Sequence, residues 1–236
     1  MAAHVPLRHR LAVSATWPVG IVLTSWSYLW RTTPVHRRER EGSREIDGPP
    51  PLPASGVSLE EVQTPEHAAG PLFRRRYSGT ILDSDWSPER LMTTLKRDPG
   101  IVAPVSLARF QKALGEPERM ALGDEWLVRM PGPWDGPVRV IHLDATSFRF
   151  ATLDAHLEAG QIEWRSLRDP AGGLVFQIES WARAGDRFSA VMHDRVRMAK
   201  EVQLHMWSSC VEQVRDLTGG RLAHGIDIET HRVEWD

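Results

Sequence analysis

The strongest constraint on this chain lies between residues 125 and 181, where five short runs alternate apolar and polar residues. The runs 125–130, 138–143, 147–153, 161–167 and 174–181 are separated only by turn material: PGPWDGP, DAT, the residues around Glu158 to Gly160, and Asp169-Pro170-Ala171-Gly172-Gly173. Connections this short leave no room for a crossover, so neighbouring strands must run antiparallel. Alternation sets Trp126, Val128, Phe148, Phe150, Ile162, Trp164, Leu174, Phe176 and Ile178 on one side of the sheet. Arg129, Arg139, Arg149, Glu163, Arg165, Gln177 and Glu179 fall on the other, which reads as the wet face.

A sheet with one apolar face needs a cover, and the sequence offers one. From Gly185-Asp186, an N-cap signal, to the stop at Gly219-Gly220, Met192, Val196, Ala199, Gln203, Met206, Cys210, Val214 and Leu217 recur at helical spacing. A helix of ~30 residues is about 45 Å long, enough to lie across a whole sheet. Upstream, Phe73, Tyr77 and Ile81 alternate with Arg74, Arg76 and Ser78 as a first strand. Ser87-Pro88 starts a helix through Lys96, and Leu107, Phe110 and Leu114 predict a second short helix over 106–114. The tail, 221–236, predicts an edge strand. The expected class is α+β: a curved antiparallel sheet wrapped around a long C-terminal helix, with two short helices after the first strand.

The front of the chain differs in character. Residues 11–30 form 20 consecutive uncharged residues, the length of a bilayer span, but five Ser and Thr, Pro18, Gly20 and basic flanks on both sides favour an amphipathic helix from Val19 to about Arg31. Pro49, Pro50, Pro51 and Pro53 then mark a linker. The expected organisation is an N-terminal helical and basic arm (1–48), a Pro-rich linker (49–57), the main domain (58–220) and the tail (221–236).

Net charge −2 supplies no basic field for a nucleic acid, and the single Cys210 excludes a disulfide framework and a thiolate zinc site. No GxGxxG, P-loop or HExxH sequence occurs, and neither a cofactor nor a metal is expected. The expected compartment is the cytoplasm, with peripheral membrane contact through Trp26 and Trp30 as a further expectation; oligomeric state is open.

The order of elements resembles the helix-grip fold of the START and polyketide-cyclase superfamily. TLDAHLEAGQIEW, from Thr152 to Trp164, and the stretch from Gly173 to Arg183 resemble domain-of-unknown-function family nineteen-ninety. In that family a Gly-His-x-Glu-x-Gly-like turn precedes an aromatic strand, and a Ser-aromatic-x-Arg-like strand end leads to the final helix. The likeness covers about 122–217, and Ala155 stands where the turn usually has Gly. It implies the fold and a cavity, but no reaction.

The expected role is to hold a small apolar or amphipathic molecule between sheet and helix, lined by Tyr77, Trp126, Phe148, Phe150, Trp164, Phe176, Ile178, Met192, Gln203 and Met206, with Arg75 and His142 as partners for a polar head. Plain core packing, a backbone-bonded His142 and a solvent-directed Arg75 are the competing interpretations. An enzyme of the cyclase or hydrolase type is the alternative, with His142 or the Asp154, His156, Glu158 cluster as general base. Ordinary turn formation by those three residues competes with that role. A membrane-surface protein acting through the N-terminal Trp-rich helix is a third.

Overall fold

The computed structural model describes residues 33–105, 107–130, 135–185 and 193–235; the side chains of 67, 184, 185 and 193–202 lie outside that description. The expected arm helix, its Trp26 and Trp30, and Met192 fall outside the described residues.

The elements in chain order are β1 (Val35–Glu41), the single turn α1 (Arg44–Asp47), β2 (Ala68–Leu82), α2 (Pro88–Arg97), β3 (Arg109–Leu114), β4 (Glu125–Arg129), β5 (Asp135–Leu143), β6 (Ser147–Thr152), β7 (Glu158–Arg168), β8 (Leu174–Gly185), α3 (His193–Thr218), β9 (Arg221–Leu222) and β10 (Ile226–Val233). Short 3-10 turns occupy Pro65–His67 and Pro99–Val102. All described strands belong to one open sheet in the order β1-β10-β2-β8-β7-β6-β5-β4-β3, with β9 on the end of β2. Every pairing is antiparallel except β1 with β10. Register shifts in β2, β3 and β5 bend the sheet, and α3 lies in its concave side, the arrangement of a helix-grip fold.

Local chemistry explains the ends. The Ser87 hydroxyl accepts the Arg90 N–H at 3.2 Å with Pro88 at the first position of α2, whose Leu91, Met92 and Leu95 are buried. After α3, Gly219 takes φ +69 and the Gly220 N–H reaches the Arg215 carbonyl. The apolar face read from alternation is the core: Trp126, Val128, Phe148, Phe150, Trp164, Leu174, Phe176 and Ile178 are buried there, with Ile162 packed against them. Trp207, Cys210, Val211 and Val214 of α3 meet them from above.

Three expectations are corrected. Residues 109–114 form strand β3 rather than the end of a helix. The spacing of Leu107, Phe110 and Leu114 suits a helix, but pairing with β4 exposes Arg109 and Gln111 and turns Phe110 onto Trp164, ring centroids 5.8 Å apart. The second helical piece after β2 is the 3-10 turn at Pro99–Val102. The tail strand β10 is interior, between β1 and β2, so β1 forms the edge and brings 35–41 of the expected arm into the sheet. Finally, the polar face is not uniformly wet. Residues 42–66 run across it as a strap, and Asp47, Arg139, Glu163, Glu179 and Arg183 are buried.

The strap is fastened by charges and carbonyls. Arg74 bridges Asp47 and Glu179, 2.6 Å from each, and His231 Nδ1 lies 2.6 Å from the same Asp47 oxygen. Burial opposes the Asp47 charge, but Arg74, His231 and the Ser43 N–H outweigh it and hold the carboxyl below its usual range. Arg139 donates to the Ser58 and Glu60 carbonyls and pairs with Glu125; Arg183 donates to the carbonyls of Pro65, Gly70 and Trp235. The Gln161 amide donates to the Pro50 carbonyl.

Candidate functional site

At one end of the concave face, where β5, β6, β7 and β8 pass beneath α3, the core leaves a cavity of about 70 Å³. Its apolar wall is Phe110, Val128, Met130, Val138, Phe150, Ile162, Trp164, Met206 and Trp207; its polar corner contains His156, Glu158 and Gln203, with Thr152 and Ser180 beside them. This is far below the several hundred Å³ of a drug-sized ligand site. Of the other expected lining residues, Tyr77, Trp126, Phe148, Phe176 and Ile178 are buried but do not line this cavity.

The corner is built by the turn between β6 and β7. Ala155 sits at φ +75, the left-handed region that favours glycine. The turn returns the chain so that His156 Nδ1 lies 3.0 Å from the Glu158 N–H and 2.9 Å from the Glu158 carbonyl. Burial pushes the His156 pKa down, against the raising effect of Glu158, so the ring is neutral near pH 7. Its Nε2 has no hydrogen-bond partner among the described residues, and a Cβ on Gly136 would come within 2.9 Å of it. At Gly160 a Cβ would lie 1.9 Å from the Trp181 carbonyl oxygen, so no side chain fits there. Beyond the turn, Glu158 Oε2 accepts from Gln203 Nε2 at 2.7 Å, and Gln203 Oε1 accepts from Arg75 Nη1 at 3.5 Å, the outer limit of a hydrogen bond.

The turn is also held from the back of the sheet. The Gln63 N–H donates to the Thr152 carbonyl, its side-chain amide donates to the Leu153 carbonyl, and the Asp154 N–H donates to the Glu61 carbonyl.

The structure thus brings Phe150, Trp164, Gln203 and Met206 together with His156 and Glu158, and places Arg75 one residue behind the corner. Arg75 is buried over the Phe73 ring rather than reaching solvent. His142 is elsewhere. The bulge at Ile141 inserts one residue, so His142 pairs across from Arg149 on the outer face and is bonded to Asp144 at 3.1 Å. Asp154 is exposed. The Ser208 hydroxyl donates to the Leu204 carbonyl of its own helix, and burial pushes the Cys210 thiol pKa up, so that stretch offers no activated nucleophile. Sequence reasoning missed Phe110, read as helical, and Trp207, which stands at helical spacing from Gln203 and Cys210 and was legible on that ground.

A second hollow of about 350 Å³ lies between strap and sheet, lined by Pro49, Pro50, Pro51, Leu52, Pro65 and Trp235. It is larger, but its charged rim residues Arg44 and Glu66 are exposed and only 3.8 Å from one another. The smaller cavity is the better candidate because it joins an apolar wall to polar atoms lacking partners. Among the described residues no group of three or more His, Cys, Asp or Glu side chains converges as a metal site, and no helix is long and apolar enough to cross a membrane.

Residues 107–213 match the family described as a domain of unknown function, DUF1990. In that segment, the motif residues His156 and Glu158 face the cavity, Ser180 lines it and Arg183 clasps the strap. No curated protein matches the chain. Solved structures similar to it include the crystal structure of Ara h 8.0201, 10% identical over 62% of this chain and 97% of that one, with a TM-score of 0.43. Another is the di-domain ARO/CYC StfQ from the steffimycin biosynthetic pathway, 9% identical over 63% of this chain and 51% of that one, with a TM-score of 0.46.

Proposed function

We propose that this protein binds a small amphipathic molecule, with its apolar part against Phe150, Trp164, Met206 and Trp207 and its polar part at His156, Glu158 and Gln203. The observation that carries the proposal is the pairing of one apolar wall with one polar corner beneath α3. At rest the cavity admits only a small group. A longer ligand enters as Met130 and Met206 turn aside, since unbranched thioether chains repack at little cost.

Titrating the full chain with short amphiphiles while following tryptophan emission tests this, because Trp164 and Trp207 form part of the wall. A saturable shift abolished by filling the cavity, Ser180→Leu, is the expected result. Non-saturating responses from every probe, with no change in the ring signals of His156, would overturn it.

A second role, proton transfer, is favoured by one specific feature: a neutral, half-buried His156 with Nδ1 held by its own turn and Nε2 without a partner among the described residues. There His156→Asn would abolish turnover of a bound carbonyl compound and leave binding intact; equal loss of both would leave only a binding role.

A further inference from the structure

We propose that the polar end of the bound molecule is a hydrogen-bond donor, a hydroxyl or a protonated amine, and that Glu158 selects it against carboxylates. This rests on the cavity being a ligand site.

The described lining includes no Lys or Arg; its ionisable groups are His156 and Glu158. Burial keeps the imidazole uncharged, so the field at the corner is that of the Glu158 carboxylate. One of its oxygens, Oε2, is taken by the Gln203 amide at 2.7 Å, while Oε1 has no hydrogen-bond partner among the described residues. Glu158 is half-buried, and an entering N–H or O–H gains a charge-assisted hydrogen bond at this open oxygen. Two described cations bond lining residues without lining the cavity themselves: Arg75 Nη1 reaches Gln203 Oε1, with its guanidinium 4.7 Å over the Phe73 ring, and Arg149 Nη1 reaches Gln161 Oε1. Gln203 is therefore oriented, with its amide N–H toward Glu158 and its carbonyl toward Arg75. An anionic head group entering here would meet the Glu158 carboxylate and find no Lys or Arg among the described lining residues to pair with. A hydroxyl can donate to Glu158 and, according to the tautomer, accept from or donate to His156 Nε2.

The test compares p-cresol, 4-methylbenzylamine and p-toluate, three similar rings differing in head group, by tryptophan emission and calorimetry on the full chain near neutral pH. The expected result is that at least one of the two donors binds about tenfold or more tightly than p-toluate, and that Glu158→Gln narrows the gap to about threefold or less. Equal or tighter binding of p-toluate by the native chain would overturn donor selection while leaving the cavity as a ligand site. Saturable binding of none of the three would instead remove the ligand site itself. The ranking on the native chain decides the matter even if Glu158→Gln lowers the yield of folded protein.

Discussion

The two faces of the sheet are both largely covered, but by opposite means. On the concave side, aromatic and aliphatic residues meet α3 through non-directional contact, with Trp164 touching Phe110, Phe148, Phe176 and Trp207 at ring distances of 5.4 to 6.1 Å. On the convex side, strand side chains are charged, and they are sheltered because an irregular strap supplies matched carbonyls and carboxylates. The contrast teaches that an alternating pattern tells which residues share a face, not whether the polar face meets water. The first cover tolerates changes of shape; the second tolerates few changes of partner.

Removing the centre of the concave cover has the largest expected effect. Trp164→Ala deletes a fully buried indole and its ring contacts, with an expected loss of about 4 kcal/mol, read as a lower denaturant midpoint. Next comes the convex latch. Asp47→Ala leaves Arg74 and His231 facing a void where a carboxylate stood, with an expected loss of about 3 kcal/mol. The two losses should differ in kind. Trp164→Ala weakens the whole fold, whereas Asp47→Ala releases the strap first, so limited proteolysis should cut within 49–57 before global unfolding. Equal susceptibility at all sites would mean that strap and sheet unfold as one unit.

Much of this contrast is legible in the sequence, and its limits have physical causes. Alternation gathers Phe148, Phe150, Trp164 and Phe176 correctly because a strand's period is two. It fails at His142 because one inserted residue, Ile141, reverses every side chain after it, and a bulge leaves little mark on composition. The Pro-rich residues 49–53 read as a spacer because prolines lack N–H donors, yet the carbonyl of Pro50 is an acceptor that Gln161 uses. Arg139 looks like a solvent-facing residue because its carbonyl acceptors, Ser58 and Glu60, lie far away in sequence. In the candidate site, His156 and Glu158 are found by spacing, but their link to Gln203 depends on how α3 docks, which no local pattern encodes.

The Asp144 turn between β5 and β6 offers a smaller, pH-dependent probe on the charged side. Burial opposes the Asp144 charge, but the Thr146 N–H, the Ser147 hydroxyl, His142 and the Ser147 N–H outweigh it and bring the carboxyl down to about 2. With the folded value below the unfolded 3.8, its stabilisation is present above about pH 4 and is lost as the pH falls toward 2. The side chain is 49% exposed, so solvent screening reduces the contribution to about 1 kcal/mol. Asp144→Asn should therefore lower the urea midpoint at neutral pH and match the native chain near pH 2. A gap that persists unchanged in acid would assign the effect to hydrogen-bond geometry rather than charge.

The smallest expected effect is a gain, and it sharpens the link between the two covers. Ala155 occupies φ +75, where a Cβ costs about 1 kcal/mol, and glycine would relieve that strain while adding freedom to the unfolded chain. Ala155→Gly should raise stability by about 0.5 kcal/mol, visible as a small increase in the denaturant midpoint. The turn is held from the convex side by Gln63 and Glu61 and presents His156 to the concave side, so relief at 155 should leave the His156 ring signals where they are. A displaced His156 signal with no gain in stability would mean that the left-handed residue sets the geometry of the cavity corner, and that the strap alone is not enough to hold the turn in place.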